Sequence, residues 1–185
     1  MPIPTPSEII SSRLERLDGQ MLQAIDNLSE DEASRWLTET APSCKWHLWH
    51  MARWADYVQS LLSGVVDEHS PELWEFTGIA DEWGFEGVDL GMWGAGSGLG
   101  NETGKSLPLP TLARVRSYAV EAFELLEARV AKLDDQNFNA AFTDWHDNDT
   151  NVGDAMVGYI AHANRHLGML EAITGALGKE GSVTV

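Results

Sequence analysis

His162 and His166 stand four residues apart in the stretch Tyr159-Ile-Ala-His-Ala-Asn-Arg-His-Leu-Gly168. On a helix that spacing places two imidazoles one above the other on a single face. A third histidine, His50, sits in Trp46-His-Leu-Trp-His-Met-Ala-Arg53, on an earlier stretch of helical pattern. Three imidazoles from two helices can close three corners of a metal site and leave the rest to water or substrate. Two imidazoles buried side by side without a shared partner are costly, about 1–3 kcal/mol for each orphaned polar group. A bound metal removes that cost. The competing reading treats all three as core histidines, and a lone pair at this spacing is common by chance.

The neighbours of these residues offer further chemistry. His47 lies three residues before His50 and is read as a hydrogen-bonded structural histidine. Trp46, Trp49 and Trp54 crowd around His50, first as core residues and second as an apolar wall that limits water access. Arg53 is the basic residue on the same stripe, with two readings: a contact to an acidic substrate, or a surface salt bridge. Asp144 and His146 lie in Asp144-Trp-His-Asp-Asn-Asp149, where a solvated helix-capping loop competes with a proton-handling role. The spaced ligands and glycine of a calcium loop are missing there. Cys44 has no identifiable orienting partner for nucleophilic work, and His69 falls in a polar loop. Neither the His-Glu-x-x-His of zinc peptidases nor the Glu-x-x-His pairs of di-iron bundles occurs in the chain.

Four amphipathic stretches must position these groups. The first runs from about Pro6 to Leu28, with Thr5 and Glu8 forming a capping box and proline at the first helical position. The second runs from about Ser43 to Leu62 and carries Trp46, His50, Trp54, Tyr57 and Leu61 on one stripe. The third spans about Thr111 to Leu133, after Pro108-Leu-Pro110, and the fourth about Val152 to Leu177. On the fourth, Ala155, Tyr159, His162, His166, Met169 and Ile173 share a face apolar enough to point inward. Between the second and third lie nearly fifty residues without sustained periodicity, apart from a short helix expected around Pro71 to Trp83. Eight glycines fall between Gly84 and Gly104, with Trp93 among them, and no phosphate-cradling motif follows. Long loops of this kind inside compact domains are usually functional or disordered. Four long helices and no convincing strand predict an all-α, four-helix bundle with one long crossover, in a single domain over 1–185.

The chain has 185 residues, enough to bury a substantial core, and a formal charge of −17. Such a surface repels phosphate backbones and anionic lipid headgroups, so neither nucleic acid nor a membrane is an expected partner. No run approaches the roughly 18 consecutive apolar residues of a membrane span. The first eight residues lack a basic region followed by an apolar run, and a single cysteine excludes an intrachain disulfide framework. A cytoplasmic location is the expectation.

The Trp46-to-Arg53 segment followed by His162-x-x-x-His166-x-Gly168 resembles the DinB-like (damage-inducible protein) superfamily. The resemblance extends from the first helix through Gly175 and includes the glycine-rich passage after Trp83. It implies an up-up-down-down four-helix bundle, a homodimer, and His50, His162 and His166 as ligands of one divalent metal: Zn²⁺ first, Ni²⁺ or Fe²⁺ as alternatives. Members similar to it include transferases and isomerases that use mycothiol or bacillithiol, and the N-terminal domain of ergothioneine-pathway sulfoxide synthases. The implied activity is therefore a thiol-dependent transferase or isomerase acting on a small-molecule substrate with a low-molecular-weight thiol. In that scheme the glycine-rich loop with Trp93 shapes the pocket, Arg53 is a second binding residue, and His146 or Asp144 handles protons. The alternative is a metal- or small-ligand-binding stress-response module without turnover.

Overall fold

The computed structural model describes residues 3–66 and 69–180; Met1 and Pro2, the start of the stretch read for a leader, lie outside it. Helix α1 covers Pro6–Ile25. Thr5 caps it by accepting from the Glu8 amide, while the Glu8 carboxylate accepts from the Thr5 amide at 2.8 Å, the reciprocal pair expected from the sequence. The helix ends at Ile25, three residues short of the expected Leu28, and Ser29 starts a separate turn, α2 (Glu30–Ser34), with its own capping box through Glu32. Helix α3 spans Cys44–Leu62 and begins at Ser43, whose hydroxyl accepts from the Trp46 amide.

Three short helices follow: α4 (Leu73–Phe76), α5 (Ile79–Glu82) and α6 (Asn101–Ser106). The one short helix expected around 71–83 is thus two, broken at Gly78, which takes a left-handed φ of 74°. Helix α7 covers Leu112–Val130 and α9 covers Val152–Ala176, with the turn α8 (Asp135–Phe138) between them. Asn151 caps α9 by accepting from the Asp154 amide at 2.9 Å.

The fold is all-α, with one addition the sequence pattern did not reveal. Strands β1 (Ala141–Thr143) and β2 (Asp149–Asn151) pair antiparallel, Phe142 opposite Thr150. The segment expected as a helix-capping loop is the turn of this hairpin. It presents Trp145 and His146 beside α9, and Asp147 sits at its bend with φ of 59°.

Helix α3 packs along α7, and α1 along α9, with further contacts of α1 to α7 and of α3 to α9. Leu14 and Met21 from α1, Trp49 and Met51 from α3, Phe123 and Leu126 from α7, and Met156 and Tyr159 from α9 fill the space between them. Helix α3 is buried on almost every side, which makes it the central element. One row of α3 is polar nonetheless. Asp56 accepts from the amides of Leu73 and Trp74 at 2.8 and 2.9 Å and from the Tyr118 hydroxyl at 2.8 Å. Gln59 donates to the Pro71 carbonyl and accepts from the Ser70 hydroxyl. Those bonds fasten the start of the long crossover to the central helix.

Candidate metal centre

His50 points from α3 toward α9, where His162 and His166 stand one turn apart. Ring centroids are 5.3 Å apart for His50–His162, 4.5 Å for His50–His166 and 4.7 Å for His162–His166. One nitrogen from each lies within 4.8 Å of the other two. The Nε2 atoms of His50 and His162 are 3.3 Å apart. Two imidazoles bound to one ion at about 2.0–2.1 Å with a tetrahedral angle have nitrogens about 3.3–3.4 Å apart, so this pair is already spaced as two ligands.

The protonation of these rings suits a metal. His50 Nδ1 makes a short hydrogen bond to the Ala95 carbonyl, and since a carbonyl only accepts, Nδ1 holds the proton and Nε2 presents its lone pair. Burial pushes His50 down to about 3, with smaller contributions from the neighbouring histidines. Burial likewise lowers His162 to about 4 and His166 to about 2. All three are neutral at pH 7. They offer lone pairs without proton competition, in surroundings where a charged ring would be unstable. The donor chemistry therefore fits a divalent ion.

The surrounding wall is aromatic. Trp46 stacks on His50 with centroids 4.8 Å apart, and Trp54 stands edge-on to His162 at 5.1 Å. His47 is buried, and its Nδ1 lies 2.9 Å from Nδ1 of His166.

A cavity of about 620 Å³ reaches His162 from the side of the hairpin, lined by Trp54, Trp93, Trp145, His146 and Arg165 among others. Trp93 packs against Trp54 at 5.0 Å and against His146 at 5.1 Å, with a positive φ of 57° rarely adopted by a bulky residue. Asp144 also lines the cavity, but its carboxylate accepts from the amides of Asn148 and His146 and from the Asn148 side chain, which lowers it from its ordinary value. It organises the turn.

Arg53 sits elsewhere than either sequence reading put it. Its guanidinium is buried, ion-paired with Asp56 at 3.2 Å and Glu72 at 2.8 Å, and donates to the Gly94 carbonyl and the Tyr118 hydroxyl. The salt bridges are internal rather than on the surface, and the arginine clamps the glycine-rich loop to α3. Cys44 is buried and its thiol is pushed up to about 11, the wrong direction for a nucleophile. His69 is exposed. Sequence reasoning missed the Ala95 carbonyl and Trp145. The glycine run signalled an unusual backbone but not which carbonyl would meet His50.

An all-α protein whose long helices bring three neutral histidines together, in a group that can hold a metal ion, is the class that fold and site define. The chain belongs to the DinB superfamily, whose sequence model matches residues 13–170. No curated protein matches the sequence. A crystal structure described as that of a conserved protein from Enterococcus faecalis superposes with a TM-score of 0.76, covering 96% of this chain and 100% of that one at 16% identity. At that identity the likeness concerns the fold. Among the described residues no helix is long and apolar enough to cross a membrane.

Proposed function

We propose that the protein is a divalent-metal-dependent transferase or isomerase that works with a low-molecular-weight thiol on a small electrophile. The observation that carries this reading is the convergence of three neutral imidazoles, one of which, His162, also lines an aromatic-walled cavity. His50, His162 and His166 hold the ion; three imidazoles suit Zn²⁺ first and also Ni²⁺ or Fe²⁺. When bound, such an ion supplies the Lewis acidity that lowers the pKa of a coordinated thiol. Trp54, Trp93 and Trp145 shape the space for the electrophile and keep water out. The proton released by the thiol passes to solvent, and His146, at the cavity wall beside Trp93, supplies one on the electrophile's side. In transfer, the sulfur forms a bond to the electrophilic carbon. The leaving group departs with the electron pair of its own bond and receives that proton. In isomerisation the same sulfur leaves again, and the thiol is regenerated.

The test is metal content followed by thiol response. Freshly purified protein is expected to retain about one divalent ion per chain, measured by elemental analysis, and the His162→Ala/His166→Ala double variant to lose it. A double variant that holds as much metal as the wild type overturns the ligand assignment. In cobalt-loaded protein a thiolate charge-transfer band is expected on addition of a cellular thiol. No response to any thiol favours a binding module without turnover.

A further inference from the structure

The histidine group is open on two sides. The cavity of about 620 Å³ meets it at His162 alone. A second cavity, of about 300 Å³, touches His50, His162 and His166 together, between Trp36 and Trp46 on one wall and the backbone of glycines 96, 98 and 100 on the other. The partition is the glycine-rich loop, folded back on itself where the Met92 amide donates to the Ser97 carbonyl at 2.8 Å. Met92 and Trp93 face the larger cavity, Gly96 and Gly98 the smaller, and Ser97 lines both.

The two spaces differ in kind. The smaller is walled by main chain and two indoles and leads to all three imidazoles, which suits a compact ligand that must reach the ion. The larger carries three indoles and a methionine, with polar groups at Asp144, His146, Asp154 and Arg165, and its volume falls in the range of small-molecule sites. We propose that the two reactants enter by separate doors. The thiol occupies the smaller cavity against the three histidines, and a bulkier, aromatic-bearing electrophile occupies the larger one, with the 92–97 turn between them. The assignment rests on the metal reading above and adds to it where each reactant sits.

Two exposed residues allow each cavity to be filled without disturbing the core: Ala161 in the larger and Asn101 in the smaller. Binding of 2-mercaptoethanol is followed by the visible spectrum of cobalt-loaded protein, and binding of 4-nitrobenzyl alcohol by tryptophan quenching in metal-free protein. Ala161→Trp is expected to weaken the alcohol about tenfold or more and leave the thiol within about twofold; Asn101→Trp is expected to do the reverse. Saturating alcohol is expected to leave the thiol affinity of the cobalt form unchanged. The proposal is overturned if the alcohol displaces the thiol, if either tryptophan weakens both probes alike, or if the alcohol gives no quenching. A wild-type chain that takes up no cobalt overturns the metal reading and this proposal with it, a result seen before any cavity variant is compared.

Discussion

His47 stands one turn from His50 on α3, and its Nδ1 is 2.9 Å from Nδ1 of His166. Between two neutral rings one nitrogen must donate and the other accept. For His166 to offer Nε2 as a ligand, its Nδ1 carries the proton and donates to His47, so His47 fixes both the tautomer and the angle of that ring. Removal of such a partner costs about 10–100-fold in metal affinity. His47→Phe is therefore expected to keep one site per chain but weaken Zn²⁺ binding by that order in a chelator competition, and His47→Gln, whose carbonyl oxygen can accept, to recover most of it. A phenylalanine variant that binds as tightly as wild type removes the orienting role. The sequence made the three candidate ligands legible because two share a helix face and the third sits in a tryptophan-rich stretch. It also gave His47 a structural, hydrogen-bonded reading. What it withheld was the partner, 119 residues away in the chain, because a contact between two helices leaves no mark on local spacing.

The crossover is where local pattern stopped being informative. Long helices announce themselves through apolar residues repeated every three to four positions, and α1, α3, α7 and α9 fall within a few residues of expectation. Strands of three residues carry too little alternation to be seen, so β1 and β2 were missed. The glycine-rich loop takes its form from distant groups. The Ala95 carbonyl meets His50, the Gly94 carbonyl meets Arg53, and Gly96 lies against Trp46 and Trp49. Gly96 has φ of 87°, and a methyl group there would stand 2.8 Å from the Trp49 ring and 2.9 Å from that of Trp46. Both the left-handed backbone and the close approach require glycine. Gly96→Ala is thus expected to destabilise by about 1–3 kcal/mol, seen as a fall in Tm of roughly 2–4 °C per kcal/mol, and to weaken metal binding by displacing Ala95 from His50. Gly100, at φ of −66° with open space around it, is the control: Gly100→Ala should leave Tm unchanged. Equal effects at the two positions would remove the account of the loop as a backbone wedged between indoles.

Across the whole molecule, two groups of buried titratable side chains pull stability in opposite directions with pH. The four histidines around the centre are lowered by burial, so the unfolded chain binds more protons than the folded one below about pH 6.5. Their contribution is complete above that pH and falls away on acidification. Asp18, on α1, behaves the other way. Burial, then the neighbouring Glu127 of α7, raises its carboxyl well above the usual range, and Glu127 is raised as well. A raised carboxyl contributes fully below the unfolded value near 3.9, and that contribution is lost as pH rises through its folded value. At neutral pH Asp18 is thus a destabilising group inside a chain already at −17. Asp18→Asn keeps the shape, supplies a donor toward Glu127 without a titrating proton, and removes one acidic charge. It is expected to be more stable than wild type at pH 7 by about 1 kcal/mol or more, roughly 2–4 °C in Tm, with the gap closing as pH approaches about 4. Both proteins should keep the same acid limb, because the histidines are untouched. A gap that stays constant from pH 4 to 8, followed by thermal unfolding of the metal-free chain, would mean that the substitution acts through packing and that Asp18 is ionised at neutral pH in the folded chain, as it is in the unfolded one.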